Sequence, residues 1–80
     1  MLGGECMQVY LNSVDKVKAF VNIMSKFDDN IDLVSGRYKV DAKSILGILS
    51  LNLSKPIKIE FNGSQRKDYI IPFLREFEVK

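Results

Sequence analysis

Residues 25–53 read SKFDDNIDLVSGRYKVDAKSILGILSLNL, and the changes of period inside this stretch decide the architecture. Ile31 and Leu33 precede Ser35-Gly36, and Tyr38 and Val40 follow it. Two short strands joined by a tight turn are expected, with Gly36 supplying any positive φ. Asp28-Asp29-Asn30 is the loop ahead of them. The apolar segment from Ile45 to Leu53 then reads as a compact helix that begins behind Ser44 and is ended by Lys55-Pro56.

Upstream of this stretch, Met7, Val9 and Leu11 alternate with Gln8, Tyr10 and Asn12, the period of a strand with one buried face. Val14, Val17, Phe20, Val21, Met24 and Phe27 then recur at helical spacing, which predicts an amphipathic helix over 14–26. Ser13 is its N-cap, and Asp15 in the first turn suits the positive end of the helix dipole. Downstream, Ile57, Ile59 and Phe61 alternate with Lys58, Glu60 and Asn62, a fourth strand stopped at Asn62-Gly63. From about Asp68 to Glu78 the pattern is helical again, but Pro72 lies inside it. Either that helix starts late, with Pro72 in its first turn, or it is kinked. The order β-α-β-β-α-β-α predicts an α+β fold, an open-faced β-sandwich in which three helices cover one face of a four-stranded antiparallel sheet.

Composition narrows the function classes. A chain of 80 residues is one domain that buries only about 60% of the surface its unfolded form exposes, leaving little room for an enclosed substrate cavity. The net charge of +2, from 12 basic and 10 acidic residues, is too small to argue for nucleic acid or an anionic membrane. Cys6 is the only cysteine and there is no histidine, so neither an internal disulfide nor a zinc set is available, and a cytoplasmic location fits best. No apolar run approaches the ~20 residues of a membrane span. Residues 1–5 read as a flexible leader and 6–80 as the domain.

Lys43-Ser44-Ile45-Leu46-Gly47 with Leu49-Ser50-Leu51, preceded by Ser25-Lys26-Phe27, resembles HPr, the small phosphocarrier of the phosphoenolpyruvate-dependent sugar phosphotransferase system. The corresponding HPr segment has the form SKY/F…KSIMGVMSL. The likeness covers about residues 7–62 and implies the same fold, with the first strand beside the fourth. It also implies a phosphocarrier rather than an enzyme, and no cofactor. In HPr a histidine followed by alanine, arginine and proline carries the phosphate just before the first helix. Counting back without gaps from Ser25 places Ser13 at the histidine, Asp15 at the arginine and Lys16 at the proline; aligning the first strand instead makes the loop about three residues shorter. Both alignments lose the catalytic pair. An imidazole phosphoramidate gives up its phosphoryl group readily, whereas a serine ester does not, so Ser13 is a poor surrogate and reads as a cap.

The resemblance maps the regulatory serine of HPr, the target of a dedicated ATP-dependent kinase, onto Ser44. The same residue reads as a plain N-cap, its hydroxyl accepting from the amide of Gly47, and the two readings need the same exposed capping geometry. Behind it, Ile45, Leu46, Ile48, Leu49, Leu51 and Leu53 cover more of the helix than one core stripe uses. Ile48 and Leu51 are the expected core pair. Ile45, Leu46 and Leu49 match the positions with which HPr docks onto partners, or else are wrapped by the C-terminal tail. Lys39, Lys43, Lys55 and Lys58 are interspersed with Asp41 and Glu60 and read as solvated surface, Tyr38 lacks the companions of a nucleic-acid platform, and Asp28-Asp29 lacks a third metal ligand.

Three functions compete. The first is a regulatory, protein-interaction module without histidine phosphoryl transfer, controlled through Ser44, whose partners would be HPr kinase, phosphotransferase-system proteins or a transcription regulator. The second is an atypical phosphocarrier, and the third is a structural HPr-fold domain, such as a homodimer paired through its apolar helix.

Overall fold

The computed structural model describes residues 7–63 and 66–79, so the leader expected over 1–5, and Cys6, lie outside the described residues. Four strands, β1 (Met7–Val9), β2 (Asp32–Ser35), β3 (Tyr38–Asp41) and β4 (Ile57–Glu60), form one antiparallel sheet in the order β1-β4-β2-β3. The expected neighbours meet: Met7 pairs with Ile59, and Leu33 lies between Ile59 and Val40. Because side chains alternate along each strand, this register turns Met7, Val9, Leu33, Ile57 and Ile59 to one buried face. Gly36, with φ 61°, and Arg37 make the two-residue β2–β3 turn, and positive φ at its first position alone suits the right-handed twist of a hairpin.

Helix α1 (Val14–Met24) starts where Ser13 Oγ accepts from the Lys16 amide at 3.2 Å. Val17, Phe20, Val21 and Met24 are buried in the core, but Val14 is 52% exposed. Helical Cβ atoms tilt toward the N-terminus, so a side chain at the first position projects past the end of the helix instead of under it. The second helix, α2 (Ile45–Leu49), is shorter than the 45–53 expected. Ser50 Oγ donates to Gly47 O at 2.6 Å, and Asn52 Oδ1 accepts from both the amide and the hydroxyl of Ser54, so polar side chains divert the backbone into turns before Pro56 is reached.

The tail keeps part of the first alternative expected of Pro72, since the proline lies in the first turn of a late helix, but that helix is 3₁₀ and a separate turn precedes it. An α-helical turn, α3 (Lys67–Ile70), forms ahead of the proline and the chain then tightens into a 3₁₀ helix over Ile71–Phe77. Proline cannot donate to the carbonyl four residues back and its ring crowds that carbonyl, which disfavours continued α-helix. Ile70, Leu74 and Phe77 are buried, and Phe77 meets Phe20 edge to face at 5.7 Å. Beyond the helix the chain joins the free edge of β1, where Tyr10 N donates to Phe77 O at 2.8 Å and Val79 N to Gln8 O at 3.0 Å. The tail thereby covers an edge that would otherwise present unpaired backbone groups.

Candidate functional site

Asp41 closes β3 and sets the entry to α2: its carboxylate accepts from the Lys43 amide at 2.8 Å, and its carbonyl from the Ser44 amide at 3.0 Å. These bonds hold Ser44 in an extended conformation (φ −100°, ψ 106°) with its Oγ accepting from Gly47 N at 3.1 Å, the N-cap of α2. Ser44 is half-buried, less open than the sequence suggests, because Gly47 brings the first turn of the helix hard against β3. A Cβ on Gly47 would stand 3.1 Å from Ser44 Oγ and 3.2 Å from Val40 Cβ. The serine and the glycine are therefore one unit. The spacing shows the cap, but only the packing shows why glycine is required three residues later.

In and just beyond this helix, Ile48 is fully buried and Leu51 nearly so, the expected core pair. Leu46 is 82% exposed, and Ile45 and Leu49 are each 37% exposed. The tail packs against α1 and covers the β1 edge, leaving this apolar face in water among the described residues. Lys43 is half-buried beside the cap.

Ser13 is exposed, and its hydroxyl is engaged as a cap by Lys16 N. Asp15 and Lys16, which the ungapped count sets at the arginine and the proline, are exposed and lie in the first turn of α1. Among the described residues no guanidinium hydrogen-bonds or pairs with these side chains. Asp29 accepts from Arg66 Nε at 3.1 Å and Nη2 at 2.7 Å, so this acid is committed to tying the α3 turn to the loop before β2. That hydrogen bond, with the carboxylate charge behind it, holds the Arg66 guanidinium above its already high range. No cluster of three metal-ligating side chains occurs among the described residues. On the open sheet face Lys39 pairs with Glu60 at 3.0 Å, as expected for solvated surface, and no described helix is long and apolar enough to cross a membrane.

The family model described as "PTS HPr component phosphorylation site" matches residues 16–71, a segment that contains the whole α2 site and begins after Ser13. The crystal structure of HPr-C-His from Thermoanaerobacter tengcongensis superposes with a TM-score of 0.73 at 26% identity, covering 90% of this chain and 88% of that one. No curated protein sequence matches.

Proposed function

The chain belongs to the HPr family of the sugar phosphotransferase system, and from that premise we propose that it is a regulatory, protein-interaction module that does not transfer phosphate through histidine. The observation that carries this reading is the absence of any histidine from a chain whose α2 keeps a Ser44 cap and an exposed Ile45, Leu46 and Leu49 face. The residues of the carrier loop are replaced by a capping serine and an acid, which disfavours an incoming phosphate, while the docking helix is intact. The 6–80 segment acts as one domain in the cytoplasm, and its partners are proteins of the phosphotransferase system or a transcription regulator.

Ser44 is the switch in this proposal. A phosphate adds about two negative charges beside Ile45 and Leu46, changing which partner the face accepts. Ser44 is half-buried with its Oγ accepting from Gly47 N, so a kinase would have to reach it at the entry to α2, where the helix N-terminus tolerates the added charge.

The test has two arms. Incubation with Enzyme I and phosphoenolpyruvate is expected to leave the protein unmodified; a stoichiometric, acid-labile phosphate would instead establish an atypical carrier. Treatment with HPr kinase and ATP is expected to add one acid-stable phosphate at Ser44, read by intact mass and abolished in Ser44→Ala. If the kinase fails, or if the phosphate changes no affinity for partners recovered by pull-down, Ser44 is a cap alone.

A further inference from the structure

The β2–β3 turn and the segment after α2 enclose a groove of about 470 Å³, lined by Ser35, Arg37, Tyr38, Ser50, Asn52 and Lys55 with Gly36 and Leu51. This lies within the range of small-ligand pockets, about 300–1,000 Å³. None of the docking residues Ser44, Ile45, Leu46 and Leu49 lines it, so it stands independently of the role proposed for them.

Its chemistry is one-sided. Arg37 and Lys55 approach from two different segments, no carboxylate lines the groove, and neither cation's side chain makes an ion pair or hydrogen bond among the described residues. The surface lysine on the opposite sheet face, Lys39, does find a carboxylate, at 3.0 Å. Asn52 adds donors in a defined sense. Its Oδ1 accepts from Ser54 N, an atom that can only donate, so the amide is oriented and its Nδ2 hydrogens remain uncommitted. Two of the backbone carbonyls at the end of α2 have donors of their own: Gly47 O accepts from Ser50 Oγ at 2.6 Å, and Ile48 O from Leu51 N at 3.0 Å. Tyr38, 70% exposed, offers an aromatic face and a phenol donor on the same wall, and Leu51 is the apolar floor.

We propose that this groove binds a small phosphomonoester carrying a planar ring, its phosphate held between Arg37 and Lys55 with Asn52 donating, and its ring lying on Tyr38. Two cations from separate segments suit a dianionic group better than a single charge, and arginine supplies the planar fork that matches phosphate oxygens. The exposed ring supplies the stacking that inorganic phosphate cannot use. A single such platform suits a mononucleotide and not a strand, in keeping with the low net charge.

The experiment is an amide-detected NMR titration of the full chain at low ionic strength with AMP, adenosine and inorganic phosphate. AMP is expected to shift Gly36, Arg37, Tyr38, Asn52 and Lys55 saturably, phosphate to do so more weakly, and adenosine not to saturate. Arg37→Ala and Lys55→Ala should each weaken AMP binding by about tenfold, as expected for loss of a hydrogen bond to a charged group. Tyr38→Leu should reduce AMP to the affinity of phosphate while leaving phosphate unchanged. All three side chains are exposed, so thermal melts of the variants should match the parent. Failure of AMP to saturate, equal affinity for AMP and phosphate, or shifts that survive in the double Arg37→Ala, Lys55→Ala variant would overturn the proposal.

Discussion

Gly47 shows how much one missing side chain determines. Alanine is normally preferred to glycine in a helix by about 1 kcal/mol. Here the added methyl would press on Ser44 Oγ at 3.1 Å and Val40 Cβ at 3.2 Å, and overpacking of this kind costs about 1–3 kcal/mol. Val40 is held in the β3 ladder and cannot swing aside as a surface side chain could. Gly47→Ala is therefore expected to lose about 1 kcal/mol in urea denaturation, and a gain in stability would mean that α2 and β3 separate at no cost. Ser44, read both as a cap and as a modification site, is a cap by geometry, but its partial burial became visible only with the packing of this glycine.

At the scale of the element, α2 divides cleanly between core and solvent. Ile48→Asp places an unpaired carboxylate at a fully buried position, at a cost of several kcal/mol, comparable with the whole stability of so small a domain. Leu46→Asp at an 82% exposed position costs little, and Leu49→Asp, at 37%, somewhat more. Thermal melts should show Ile48→Asp unfolded and both leucine variants folded, while pull-downs with the leucine variants should lose the partners of the parent protein. Equal destabilisation of all three would remove the docking face. The helix ends at Leu49 and not at 53 because short polar side chains at Ser50, Asn52 and Ser54 compete for backbone groups, a local effect that apolar periodicity does not register.

Across the whole molecule the C-terminal tail closes the core. Phe77 packs edge to face on Phe20 and its carbonyl accepts from Tyr10 N, so Phe77→Ala should cost about 3–5 kcal/mol by equilibrium denaturation. A loss below about 1 kcal/mol would mean that the tail is not part of the cooperative unit. A second whole-molecule consequence concerns pH. The chain has no histidine, and no polar or charged residue is buried among those described. Between about pH 5.5 and 7 the melting temperature should be nearly flat, since the side chain whose ordinary pKa falls there is missing. The hydrogen bond to Glu60 raises the Lys39 pKa, so this exposed pair contributes its share fully below the unfolded lysine value of about 10.5 and loses it as pH rises through the folded one. A sharp transition near neutrality, followed by circular dichroism, would contradict this.

The order of the elements and the absence of histidine were legible one residue after another, before any contact was known. Period-two alternation at Met7–Leu11 and Ile57–Phe61, and the helical stripe from Val17 to Phe27, are local consequences of burying one face, so they can be read without knowing what covers them. Pro72 announced an interruption but not its form: the outcome, an α turn tightening to 3₁₀, depends on Ile70, Leu74 and Phe77 all reaching the same core. The tail's seat on the β1 edge, the Arg66–Asp29 tie and the juxtaposition of Arg37 with Lys55 were likewise decided by tertiary structure. Each joins segments far apart in the chain or on opposite sides of a helix, and periodicity carries no information about which distant residues chain folding will bring together.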